Sequence, residues 1–152
     1  MFEIYDKLFD EYKNYIKDNS KYNARVVKNN TSTSTYFPII TFQLINTTNT
    51  TNCTLDKIEY YDAFYFTINI YTQDKVVNNK KIASQIINDD LVKLTIQFFD
   101  KKNMYRTACT PTYNIDTSIL RTVIQYQCLI GNARLNIIRR WDICLIVLKI
   151  EH

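Results

Sequence analysis

The side chains best suited to chemistry are few in this chain, and their spacing does not favour it. The single histidine, His152, is the last of 152 residues. A Ser-His or Cys-His pair within a core is therefore not expected, and metal ligation is weak for the same reason. The four cysteines, Cys53, Cys109, Cys128 and Cys144, are far apart and form no Cys-x-x-Cys. Three of them fall in expected strands, where a free cysteine packs as a small hydrophobe, so neither a metal centre nor a disulfide framework is indicated. One glycine in the whole chain leaves no Gly-rich phosphate loop and no nucleotide fingerprint. Glu59/Asp62 and Asp89/Asp90 are acidic pairs. A two-carboxylate site would need carboxylates converging from separate elements, which spacing alone does not supply. The residues read as a non-enzyme with no catalytic residue, cofactor or metal ligand.

Composition points the same way. The hydrophobic fraction of 46% suits one globular domain over 1–152, long enough for a core without staples. Net charge is +4, from 19 basic and 15 acidic residues, and the basic residues come in pairs such as Lys80-Lys81, Lys101-Lys102 and Arg139-Arg140. A nucleic-acid protein shows a denser basic face, so sequence-specific nucleic-acid binding is not expected. Abundant Asn, Ile, Lys, Thr and Tyr reads as codon bias, which lowers the weight of the twelve tyrosines. No secretory signal opens the chain and no apolar run is long enough for a membrane span. The expectation is a soluble protein made in a cytoplasm.

The elements follow from periodicity. Over Met1 to Asn19, Phe2, Tyr5, Phe9, Tyr12 and Ile16 recur at three- and four-residue steps, widened by Leu8 and Tyr15, as in an amphipathic helix. Ser20 to Tyr36 is polar and reads as either a surface loop or an edge strand. Phe37 to Ile45 is a strand with Ile40, Phe42 and Leu44 on one face. Asn46 to Thr54 (NTTNTTNCT) reads as a low-complexity loop, an arm ordered by a partner. In the strand region Leu55 to Thr72 both faces carry aromatics, so the second face is expected to be covered by a helix or a neighbouring subunit. Asp74 is placed to cap a second helix from Lys75 to about Phe98, with Ala83, Ile87, Leu91, Leu94 and Phe98 as its stripe, widened by Ile82 and Ile86. Trp141 to Ile150 (WDICLIVLKI) is β-rich, and its continuous apolarity requires burial on both faces or against another chain. The order α-ββ-α-ββ plus a C-terminal strand predicts an α+β fold: an antiparallel sheet of about four to five strands with two helices on one face.

The chain is organised around Asn103 to Asn132. Met104 to Thr110 is a strand, Pro111 to Ser118 (PTYNIDTS) is turn chemistry, and Ile119 to Ile130 is a second strand. Leu120, Ile124, Tyr126, Cys128 and Ile130 share one face with Thr122, while Arg121, Gln125 and Gln127 share the other. Asp116 reads as a turn residue bonding backbone amides, or as a salt-bridge partner for Arg106 or Arg121 of a neighbouring subunit, since a guanidinium binds a carboxylate through two hydrogen bonds.

Arg106-Thr107, then Pro111, Asn114-Ile115-Asp116, Ser118, Arg121 and Tyr126, resemble the tail terminator (tail completion, head-tail joining) proteins of long-tailed bacteriophages. The element order agrees over roughly Met1 to Arg139. Residues 141–152 lie beyond the family pattern and read as a C-terminal extension. The resemblance implies a structural virion protein of the tail and neck. It would form a homo-oligomeric ring, commonly a hexamer, that ends polymerisation of the tail tube and joins it to the head-side connector or stopper. In a contractile tail it would also meet the sheath. Partners are thus other copies of the chain, the tail tube protein and the connector, with no membrane. The residues expected at these interfaces are Asn46, Thr47, Thr48, Asn49, Thr50, Thr51, Asn52, Arg106, Asp116, Arg121 and Trp141. Two other accounts fit the same sequence: another neck or stopper adaptor of the head-tail junction, and a soluble binding domain with no phage link.

Overall fold

The computed structural model describes residues 2–28, 36–49, 61–77, 79–112 and 116–131. The elements run α1 (Phe2–Asn19), β1 (Arg25–Lys28), β2 (Ile39–Asn49), β3 (Tyr61–Thr72), β4 (Lys75–Val77), β5 (Lys80–Ile82), α2 (Ser84–Asp100), β6 (Tyr105–Thr112) and β7 (Leu120–Gly131). Five strands form one sheet in the order β1-β2-β3-β7-β6, and β4 and β5 make a separate hairpin. The fold is α+β, as the periodicity predicts.

Both helices pack on one face of the sheet. The α1 stripe Tyr5, Leu8, Phe9, Tyr12 and Ile16 meets Ile40 and Phe42 of β2 and Phe64, Phe66, Ile68 and Ile70 of β3. From α2, Ile87, Leu91, Phe98 and Phe99 complete this core with Ile124, Tyr126 and Cys128 of β7. Aromatic rings knit the layers: Tyr5 stacks on Phe42 at 5.4 Å between centroids, and Phe99 on Tyr126 at 4.6 Å. Such pairs add about 0.5–1.5 kcal/mol each beyond area burial. Several polar side chains enter the core with partners of their own. The Tyr12 hydroxyl is 2.8 Å from Thr95 Oγ1, and Thr95 Oγ1 donates to the Leu91 carbonyl at 2.7 Å. Asn88 Nδ2 donates to Thr122 Oγ1 at 2.8 Å.

With only one glycine in the chain, asparagine takes the left-handed positions: Asn23 (φ 53°), Asn79 (φ 61°) and Asn103 (φ 53°). Asn103 ends α2. Its N–H bonds the Asp100 carbonyl, and that of the buried Met104 bonds the Phe99 carbonyl, the paired bonds of a Schellman motif.

Several expectations are corrected. The second helix begins at Ser84, not Lys75; the β4–β5 hairpin occupies Lys75 to Ile82. Two valines disfavour helix there, and left-handed Asn79 turns the chain. Ile86 is 54% exposed, while Asn88, Thr95 and Phe99 are buried in its stead. Asp74 does reach α2, accepting the Ser84 N–H at 2.9 Å, but across the hairpin rather than as the adjacent cap. The polar stretch after Ser20 contains an edge strand, β1, and it runs parallel to β2, so the sheet is mixed rather than wholly antiparallel. Pro111 lies inside β6 rather than in a turn, tolerated because β6 is an edge.

Candidate functional site

The sheet face opposite the helices carries the alternate residues of three strands, most of them polar, among them Arg121, Gln125 and Gln127. From β2 come Thr41 and Gln43; from β3, Tyr65, Thr67, Asn69 and Tyr71; from β7, Arg121, Val123, Gln125 and Gln127. Pairing puts them in rows: Thr41, Asn69 and Val123; Gln43, Thr67 and Gln125; Tyr71 and Arg121; Tyr65 and Gln127. Strand alternation forces this, because the partners of each row turn their opposite neighbours into the core.

One end of this face holds a hydrogen-bonded chain. Arg121 Nη2 donates to Asn69 Oδ1 at 2.8 Å, and Asn69 Nδ2 donates to Thr41 Oγ1 at 3.0 Å. The Arg121 guanidinium carbon lies 5.5 Å from the centre of the Tyr71 ring, in cation–π range. Asn69 and Thr41 are each only 2% exposed, so the guanidinium is anchored on a buried amide. Among the described residues no carboxylate forms an ion pair with it. Arg121 Nε and Thr67 Oγ1 are buried without a hydrogen-bond partner. Buried unmatched polar groups cost about 1–3 kcal/mol each, so two of them on one face are notable.

At the other end lies a trough of about 370 Å3, lined by Ile45, Asn46, Tyr65, Phe66, Thr107, Gln125 and Tyr126. It coincides with two β-bulges. The β2–β3 register shifts between Leu44 and Asn46, leaving Ile45 extra, and the β6–β7 register shifts between Arg106 and Ala108, leaving Thr107 extra. Leu44 pairs with Phe66, Phe66 with Tyr126, and Tyr126 with Arg106. Both bulges therefore flank one rung, and bulges re-aim side chains and bend the strand that holds them. The hydroxyl of Tyr126 is buried without a partner, and burial pushes its pKa up to about 12, with Asp100 adding to the rise and Arg106 opposing it.

The residues expected at interfaces do not form one cluster. Asn46 is exposed and lines the trough, but the expected mobile arm is in part strand: Asn46, Thr47, Thr48 and Asn49 pair with Tyr65, Phe64, Ala63 and Asp62. Thr50, Thr51, Asn52 and Trp141 lie outside the described residues. Arg106 is exposed on β6. Asp116 accepts the Ser118 N–H at 2.9 Å and the Ser118 hydroxyl at 2.7 Å, which holds its carboxyl below the usual range. That is the local turn role, and within the chain Arg121 turns to Asn69 instead. The Asn69–Thr41 support and the paired bulges escaped the sequence reading. The only signal was a strand carrying polar residues on its second face, and which strands flank it is not written locally.

Edge strand β6 is itself blunted. The bulge at Thr107 and Pro111, which has no N–H, leave only Ala108 to Thr110 as regular edge between them. No group of three or more His, Cys, Asp or Glu among the described residues could hold a metal, and none of their helices is long and apolar enough to cross a membrane. A comparison with protein-family models finds no match, and a comparison with curated proteins finds none either.

Proposed function

We propose that the chain is a structural subunit of a homo-oligomeric ring at the head-proximal end of a bacteriophage tail, where it ends tube polymerisation and joins the tail to the head connector. The observation that supports this reading is the position of the motif residues. Arg106 and Thr107 lie on the exposed edge strand, Asp116 in the connection after it, and Arg121 on the sheet face opposite the helices. Arg106, Thr107 and Asp116 are exposed at one margin of the sheet and Arg121 is half-buried one strand further in, a grouping suited to contact with another chain. The mechanism is geometric. A head-to-tail contact repeated around a closed ring leaves no free end within the ring. One ring face copies the contacts of a tube subunit, and the other offers no place for a further tube ring. Because β6 is blunted, contacts between copies would run through side chains, with the planar, anchored Arg121 taking a carboxylate of the next copy.

The test is the mass of the purified chain in solution, alone and mixed with its tail tube protein. A monomer or ring that caps short tubes and halts their growth is the expected result. A ring indifferent to tubes would move the assignment to a stopper or another neck component. A strict monomer without effect on tube growth would overturn the ring reading.

A further inference from the structure

We infer that the carboxylate received by Arg121 is Asp116 of a second copy, brought onto the sheet face by that copy's turn from Asp116 to Ile119. The inference rests on the reading of the chain as a subunit that meets other copies, and it names the contact.

Two fixed charges of opposite sign lack a counterpart. Arg121 is half-buried, bonded to Asn69 and set against Tyr71, and no carboxylate among the described residues pairs with it. A guanidinium keeps donors to spare beyond the one spent on Asn69. Asp116 is the converse. Its Oδ1 accepts the Ser118 N–H at 2.9 Å and the Ser118 hydroxyl at 2.7 Å, and Ser118 Oγ in turn accepts from Gln73 Nε2 at 3.1 Å. Among the described residues its Oδ2 accepts no hydrogen bond, and no lysine or arginine is within ion-pair distance. Ser118 holds the carboxyl below the usual range, so it is charged at neutral pH.

The other described acids fit less well. Asp6, Glu11, Asp74 and Asp90 also hold hydrogen bonds, but each already faces a lysine. Asp10, Asp18, Asp89 and Asp100 stand on the helices, across the sheet from Arg121. Among the described residues Asp116 is therefore the one carboxylate that is both immobilised and without a cation.

Both side chains have lost rotamer freedom before they meet, so their contact needs little further ordering. Within one chain they are held apart. Arg121 turns along the sheet to Asn69, which pairs with Val123, and Asp116 turns back on Ser118. Arg121 lies on a broad face of the sheet and Asp116 beyond the end of β7, so donor and acceptor belong to different sides of the subunit. A contact between them repeats head to tail, the kind that closes into a ring when the rotation permits.

Sedimentation velocity of the full chain over a concentration series tests the contact. Asp116→Asn keeps an acceptor for Ser118 and removes the charge. Self-association should weaken about tenfold, with far-UV circular dichroism unchanged. Asp116→Lys and Arg121→Glu should each leave the chain monomeric where the unaltered chain associates. An equimolar mixture of these two should associate again, because every mixed contact pairs opposite charges. Association undiminished in both Asp116 variants would overturn the inference and leave the ring reading standing. A mixture that stays monomeric although circular dichroism shows both variants folded would also overturn it, as would an unaltered chain that is monomeric at every concentration. Association through this contact in a chain indifferent to tail tubes would uphold the inference and remove the tail reading.

Discussion

Arg121 donates to the Asn69 carboxamide at 2.8 Å, and the same carboxamide donates to Thr41 at 3.0 Å. The central strand β3 thus holds the guanidinium of its neighbour β7 in place, and is itself braced by β2 on its other side. A guanidinium fixed this way has lost its rotamer freedom before any partner arrives, which favours a bidentate contact. Arg121→Lys should keep the charge and lose the fork. In the proposed ring, self-association should weaken about tenfold, or about 1.4 kcal/mol, and the isolated subunit should lose about 1–3 kcal/mol because the buried Asn69 Oδ1 loses its donor. Asn69→Asp should also abolish association by neutralising the guanidinium internally. Sedimentation velocity with parallel thermal melts checks both.

The Tyr12–Thr95 contact ties α1 to α2 through the core. Tyr12→Phe should cost about 1 kcal/mol, because Thr95 keeps its bond to the Leu91 carbonyl. Thr95→Val strands the Tyr12 hydroxyl in a fully buried site and should cost more, about 1–3 kcal/mol. The double variant should cost less than the sum of the two single ones. Urea denaturation of the three proteins measures this.

Tyr22 donates to Asp90 at 2.5 Å, and Lys21 sits 3.1 Å from the same carboxylate. The Tyr22 hydroxyl, then Lys21, holds the Asp90 carboxyl below its ordinary value. A depressed folded pKa contributes stability that is complete above the unfolded value, about 3.9, and is lost as pH falls through the folded one. Stability should therefore drop below about pH 4. In Tyr22→Phe this acid limb should be shallower and neutral-pH stability lower by about 1.5–3 kcal/mol, the range for a hydrogen bond to a charged group. Denaturation midpoints between neutral and acid pH provide the comparison.

Tyr126 makes the opposite case. Its buried hydroxyl has no partner and its pKa is pushed up to about 12. Tyr126→Phe should be neutral or stabilising by up to about 1 kcal/mol, since it removes an unsatisfied group. A raised folded pKa contributes stability that is present below the unfolded value of about 10 and lost as pH rises toward the folded one. The loss of stability across that alkaline window should therefore be smaller in Tyr126→Phe, as melts in that range would record.

Much of the architecture was legible because it is periodic. The α1 stripe from Tyr5 to Ile16, the core face of β3 and the two faces of β7 each follow from spacing within one segment. The sequence reading places the α2 start too early because Asp74 has the chemistry of a helix cap, whereas the two valines and Asn79 that follow it close a hairpin. The polar run after Asn46 looked like a loop, yet β3 supplies a partner strand, and pairing overrides the weak strand preference of Asn.

By itself the sequence determined which residues are apolar, how they repeat, and hence which side of α1, β3 and β7 faces inward. It also determined the local turn at Asp116, because a side chain reaching two residues along needs no other element. Only the tertiary structure decided that β1 runs parallel to β2, that Asp74 reaches Ser84, that Ile45 and Thr107 bulge beside the same rung, and that Arg121 rests on Asn69 and Thr41. The reason is physical. Periodicity is a property of neighbouring residues along the chain, whereas strand order and register are set by which surfaces bury each other best once the whole chain has collapsed.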